Sequence, residues 1–169
     1  MATNERYKLH LKEIPQGEFE EVYRLDDDFF RERSGFELLG GEVFIKLHGV
    51  RTCDVYEVFF TLDGEVDTLC TRCENRLRYP LKGEFHMVIK LGAENSSDED
   101  EEIIVSRDNP TLSIDDLLYS FVVLSMPLRR VHPAGECDQE VEKYLNQQEE
   151  TIPHNPFEAL LHSTNFDTE

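Results

Sequence analysis

The chain has 169 residues, and 17 Lys plus Arg against 36 Asp plus Glu leave a formal charge of −19 at neutral pH. That length suits one domain burying roughly two thirds of the surface its unfolded chain exposes. A balance of this sign repels phosphate backbones and anionic lipid over the molecule as a whole, so any nucleic-acid contact has to be local. The longest apolar stretch, Phe121 to Leu124, is far too short to cross a bilayer, and Met1 to His10 lacks the apolar core of an export signal. A soluble, cytoplasmic protein without membrane contact is expected.

In chain order, the first strong pattern is a strand at Glu42 to Val50, after the turn pair Gly40-Gly41. Asp54 to Leu62 and Glu65 to Cys70 then read as two arms of a hairpin turned at Asp63-Gly64, a pair suited to the positive φ of tight turns. Cys53 lies in this strand region and is expected in the core. Phe85, Met87, Ile89 and Leu91 occupy every second position of a further strand, with Glu84, His86, Val88 and Lys90 between them, so one face is core and the other mostly wet.

Glu94 to Glu102 carries six acids, which predicts a solvated, mobile loop before a short strand at Ile103 to Val105. Ser113 is placed to cap a helix with Asp115 and Asp116 in its first turn, where the dipole favours negative charge. Ile114, Leu117, Leu118, Phe121 and Val122 share one face of that helix, and Pro127 ends it. Glu140 to Gln148 is weakly amphipathic, and Asn155-Pro156-Phe157-Glu158 reads as a cap followed by Pro at the first helical position. The expected fold is α+β: an antiparallel β-sheet with long hairpins, one covering helix over Ser113 to Ser125 and an irregular C-terminal arm. Residues 1–151 form a single domain with an acidic loop at 94–102, and 152–169 form a short helix and tail.

Four cysteines in such a chain read as reduced thiols or metal ligands. Cys70-Thr71-Arg72-Cys73 stands where a strand runs out, so two thiolates can converge on one tetrahedral ion. His132-Pro133-Ala134-Gly135-Glu136-Cys137 supplies a second pair on a tight loop, completing the pattern Cys-x2-Cys-x58-His-x4-Cys of a structural Cys3His zinc site. The plainer alternative is buried reduced cysteines beside a loop histidine. A redox role fits less well, because such CxxC motifs usually open a helix in a βαβ unit.

Charge reverses around this constellation: Arg72, Arg76, Arg78 and Lys82 face only Glu74 along the chain, and Arg129-Arg130 directly precedes His132. Two readings stand. Arg72, Arg76, Arg78, Arg129 and Arg130 grip RNA phosphate locally, with Tyr79 as a stacking surface, or they balance the thiolates and nearby carboxylates. No phosphate-cradling glycine loop, GxSxG, HExxH or deaminase HxE is present, and four protein ligands leave zinc no position for water, so no enzyme is expected.

Cys70-Thr71-Arg72-Cys73, Leu124-Ser125-Met126-Pro127 leading into Val131-His132 and Cys137, and Asn155-Pro156-Phe157 together resemble the YceD-like family, large ribosomal RNA subunit accumulation proteins, most of all its Bacteroidetes-type members. The likeness covers most of the chain in the order of its elements. Where that family often carries a Glu in the helix before the last Pro, this chain has Ser120 and Phe121, so no role for that acid transfers. The resemblance implies a cytoplasmic, non-catalytic factor in synthesis, processing or stability of large-subunit ribosomal RNA. Its gene often neighbours that of a small large-subunit ribosomal protein. The expected partner is that RNA or a basic large-subunit ribosomal protein, with no small-molecule substrate.

Overall fold

The computed structural model describes residues 5–33, 38–93, 96–97 and 102–151. Period-two alternation of apolar and polar residues governs most of them. It yields β1 (Lys8–His10), β2 (Gly17–Leu25), β3 (Gly40–Thr52), β4 (Val55–Leu69), β5 (Arg76–Gly92), β6 (Ser96–Ser97), β7 (Glu102–Ser106) and β8 (Thr111–Ser113). The helices are α1 (Asp27–Arg31), α2 (Asp115–Ser125) and α3 (Gln139–Thr151). One sheet runs in the order β2-β3-β4-β5-β7-β6, antiparallel at every step except β5 beside β7, while β1 and β8 form a separate antiparallel ribbon. This is the α+β architecture the alternation implies, with long antiparallel strands and one helix laid across them.

Val43, Ile45 and Leu47 of β3, Tyr56, Val58, Phe60 and Leu62 of β4, and Met87, Ile89 and Leu91 of β5 all turn to one face and are buried there. Helix α2 covers that face through Leu118, Phe121 and Val122. Phe121 is the central wedge, its ring stacked on Phe85 at 4.1 Å between centroids and 5.0 Å from Phe60. The opposite face of the sheet is open and laced by cross-strand ion pairs, among them Arg24 with Glu42, Lys46 with Glu20 and Lys82 with Asp63.

Three expectations need correction. No hairpin forms at Asp63-Gly64: β4 runs through both residues, paired with β3 on one side and β5 on the other. A two-residue turn preference loses to two continuous ladders. Gly64 serves close approach instead, since a Cβ there would collide with the Glu42 carbonyl and sit 2.7 Å from the Val43 Cα. The true β3–β4 turn is Cys53-Asp54, where Cys53 has φ 55°. Cys53 is therefore exposed at a turn and not a core residue, its N–H donating to Gln16 Oε1 at 3.1 Å. Finally, Ser113 does not cap α2. It ends β8 and donates to Asp115 at 2.7 Å, while Ile114 occupies the cap position without a side-chain bond.

The region before Gly40, for which the pattern reading names no element, supplies β1, β2 and α1. Residues 98–101, the centre of the expected acidic loop, and the expected Asn155-Pro156-Phe157 helix lie outside the described residues.

Candidate metal centre

Beyond Leu69 the chain reverses before β5, and this reversal is the CxxC segment. Cys70 N–H donates to the Asn75 carbonyl at 2.9 Å, Glu74 N–H donates to the Cys70 carbonyl at 2.9 Å, and Glu74 closes the turn with φ 60°. Arg72 N–H points at Cys70 Sγ, 3.4 Å away. The turn thus aims main-chain dipoles at sulfur before any other segment arrives.

The second segment comes from the end of α2. Met126 leaves the helix in an extended conformation ahead of Pro127, and the strand-like arm that follows is clamped to the CxxC turn. Thr71 N–H and Thr71 Oγ1 both donate to the Arg130 carbonyl, at 2.7 and 3.0 Å, and Arg130 N–H donates back to Thr71 Oγ1 at 3.2 Å. Past this clamp, Glu136 N–H closes onto the Pro133 carbonyl at 3.1 Å, and Gly135 takes the φ of 85° the turn requires. That turn swings Cys137 back beneath His132.

The result is one Cys3His cluster. The ligand atoms of Cys70, Cys73, His132 and Cys137 lie within 4.8 Å of one another. Cys70 Sγ is 3.9 Å from Cys137 Sγ, and His132 Nδ1 is 3.4 Å from Cys73 Sγ and 3.8 Å from Cys137 Sγ. A tetrahedral zinc, ~2.3 Å from sulfur and ~2.0 Å from nitrogen, would space its donors about 3.5–3.8 Å apart. The residues fit the ion. The imidazole is oriented for it: His132 Nε2 lies 3.1 Å from the Arg76 carbonyl, which can only accept, so the proton sits on Nε2 and the Nδ1 lone pair faces the space between the sulfurs. Cys70 and Cys137 are buried with Leu77 in a small satellite core that Tyr79 and Val131 complete.

Electrostatics favour ligation. Burial works to raise the Cys70 thiol, but backbone N–H groups of Cys73, Arg72 and His132 outweigh it and bring it down to about 6. Cys73 is lowered as well, first by a backbone bond from Asp138. Burial, then the neighbouring sulfurs, push Cys137 up to about 11, and the Arg76 carbonyl chiefly raises His132. Negative charge already gathered on two sulfurs resists a third, which is the situation a divalent cation relieves.

Most of the arginines around the cluster have carboxylate or carbonyl partners. Arg72 pairs with Glu142 of α3 at 3.7 Å, Arg76 with Asp67 at 3.1 Å and Arg78 with Glu65 at 2.7 Å. Arg130 is only 6% exposed, its guanidinium donating to the Pro127 carbonyl at 3.1 Å, so it packs the arm and offers phosphate no open face. Arg129 is exposed. Pattern reading missed Thr71, the clamp residue, and the Arg76 carbonyl that orients His132. A lone Thr inside a CxxC carries no such signal, and a main-chain oxygen carries none at all.

An open sheet whose β4–β5 turn and helix-trailing arm meet in a closed Cys3His cluster defines a small β-sheet protein whose clustered side chains could hold a metal ion. The chain belongs to the YceD family: the family model described as "Large ribosomal RNA subunit accumulation protein YceD" matches residues 58–162, well over half of the sequence, and spans both halves of the cluster. No curated protein and no solved structure matches the chain. Among the described residues no helix is long and apolar enough to cross a membrane.

Proposed function

We propose that this chain is a non-catalytic, metal-stabilised factor that supports accumulation of large-subunit ribosomal RNA by holding a basic large-subunit ribosomal protein on its acidic surface. The family membership supports the ribosomal role. The partner follows from where charge is spent. Arg72, Arg76, Arg78 and Lys82 each face a carboxylate and Arg130 is buried, so the cations nearest the cluster are largely occupied while the chain carries −19 overall. Such a surface attracts a Lys- and Arg-rich protein and masks its charge until RNA phosphate competes for it. Direct RNA contact would draw on the exposed Arg129 and would have to break the exposed pairs of Arg76, Arg78 and Lys82 on a chain of charge −19, which favours the basic protein.

Cys70, Cys73, His132 and Cys137 would hold the ion, and zinc is the metal their sulfur and imidazole suit best. Bound there, it supplies a crosslink between the sheet and the arm after α2, adding folding free energy. Four protein donors leave no place for an activated water, which supports a structural and not a catalytic role. The test is a binding titration of the purified full chain against a labelled basic large-subunit protein and against a large-subunit RNA fragment. Protein binding that is tight at low salt and weakens steeply as salt rises is expected. RNA binding with no protein binding at low salt would overturn the reading.

A further inference from the structure

One border of the sheet carries unused backbone. β2 stands at the edge of the six-stranded sheet, and no described strand pairs with its outer side. Parity shows which residues face outward. The two-residue turn at Cys53-Asp54 makes Thr52 and Val55 a hydrogen-bonded pair, so the odd-numbered residues of β3 turn toward β2, opposite Phe19, Glu21 and Tyr23. Glu18, Glu20, Val22 and Arg24 therefore direct N–H and C=O away from the sheet. An independent contact agrees, since Tyr7 Oη donates to the Arg24 carbonyl from that outer side at 3.1 Å. Only that carbonyl is taken; the main chain of Glu18, Glu20 and Val22 has no partner on this side among the described residues.

A groove of about 470 Å³ runs along the same edge, with Ile14 and Phe19 as its buried apolar floor and Lys8, His10, Glu13 and Glu20 among its walls. The carboxylates of Glu13 and Glu18 have no partner among the described residues, and Glu21 accepts only from the Tyr23 hydroxyl. At the far end of the edge Val22 is 67% exposed. Open main chain, an apolar floor, an exposed β-branched residue and a surplus of carboxylates share one strip. A second copy paired antiparallel about Phe19 would set Glu18 against Glu20 of that copy, like charges directly opposite, whereas a basic segment meets carboxylates in any register.

We propose that the β2 edge accepts an extended Lys- or Arg-rich segment as an added strand, main chain pairing with Glu18, Glu20 and Val22 and its cations meeting Glu13 and Glu18. The inference rests on the reading above that the partner is basic, and it assigns that partner's docking place. Backbone pairing supplies affinity and the carboxylates select the sign of charge.

The test uses the full chain and a fluorescent peptide alternating Arg and Thr, with a Glu-Thr peptide as control. The Arg-Thr peptide is expected to bind at low salt, the Glu-Thr peptide not at all. Amide hydrogen exchange on the wild-type protein should then slow at Glu18, Glu20 and Val22. Val22→Pro, tolerated where an edge N–H faces solvent, removes one pairing donor and should weaken binding about tenfold. Binding without slowed exchange at these amides, or undiminished in a folded Val22→Pro protein, overturns the edge site while leaving a basic partner in place. Failure of the wild-type chain to bind the Arg-Thr peptide at low salt overturns both the edge site and the basic-partner reading.

Discussion

The two ends of the molecule use charge in opposite ways. At the cluster end, basic residues crowd the sequence, yet Arg76 and Arg78 are matched across strands by Asp67 and Glu65, and Arg130 is withdrawn into the packing. At the β2 edge the sequence looks unremarkably acidic, yet among the described residues the Glu13 and Glu18 carboxylates and the outward main chain of Glu18, Glu20 and Val22 have no partner. A run of like charge along a chain thus need not become a run of unpaired charge on the surface. What matters is whether the fold brings an opposite charge into register, and a β-sheet with regular cross-strand neighbours does so efficiently.

The hardest blow to the cluster end is Cys73→Ser. It should abolish stoichiometric zinc in elemental analysis of chelator-free protein and detach the 127–138 arm, seen as fast amide exchange there with the sheet still protected. Structural zinc contributes on the order of 10 kcal/mol in small metal-dependent domains, so the melting temperature should fall sharply. Full zinc content in the variant, or a wild-type protein that is folded and metal-free, would remove the metal centre.

Acidification grades the same effect. The Cys70 thiol is lowered from its ordinary value to about 6, so its thiolate is available at neutral pH and is lost as pH falls through that value. In metal-free protein the apparent zinc affinity, measured by competition with a chelator, should therefore fall as pH drops through about 6, because protons compete for Cys70. An affinity that does not change across that range would contradict ligation by Cys70.

Phe121→Ala tests the helix–sheet contact shared by both ends and should cost about 3–5 kcal/mol in chemical denaturation while leaving zinc binding intact. Arg130→Ala and Arg129→Ala sharpen the contrast within one dipeptide. Loss of the buried guanidinium should cost about 1–3 kcal/mol, and loss of the exposed one no more than about 0.5 kcal/mol. Equal effects would mean that burial does not distinguish them. Smallest is Arg78→Ala, which breaks an exposed pair with Glu65 and should change stability by less than about 1 kcal/mol, less still at high salt.

Local pattern was enough for much of this. The alternation of Phe85, Met87, Ile89 and Leu91 marks β5, the spacing of Leu118, Phe121 and Val122 marks the buried face of α2, and CxxC with the later His and Cys marks the four side chains that the structure brings together. Phe19, Tyr23 and Leu25 of β2 share the same period, but Glu21 interrupts it, which weakens the pattern there. Asp63-Gly64 misleads for a physical reason: a dipeptide's turn preference is small, and hydrogen bonds along both sides of a fifteen-residue strand outweigh it.

By itself, then, the sequence determined the period of its strands, the apolar stripe of its one covering helix and the donor atoms available to a metal, because each depends on neighbours a few bonds away. Tertiary structure alone decided that residues 59 positions apart in the chain share one cluster, that Arg130 turns inward while Arg129 does not, and that no described strand pairs with the outer edge of β2. Those outcomes depend on which strand lies beside which. Such pairings are set by the sum of many weak contacts across the fold, and no short stretch of sequence contains that sum.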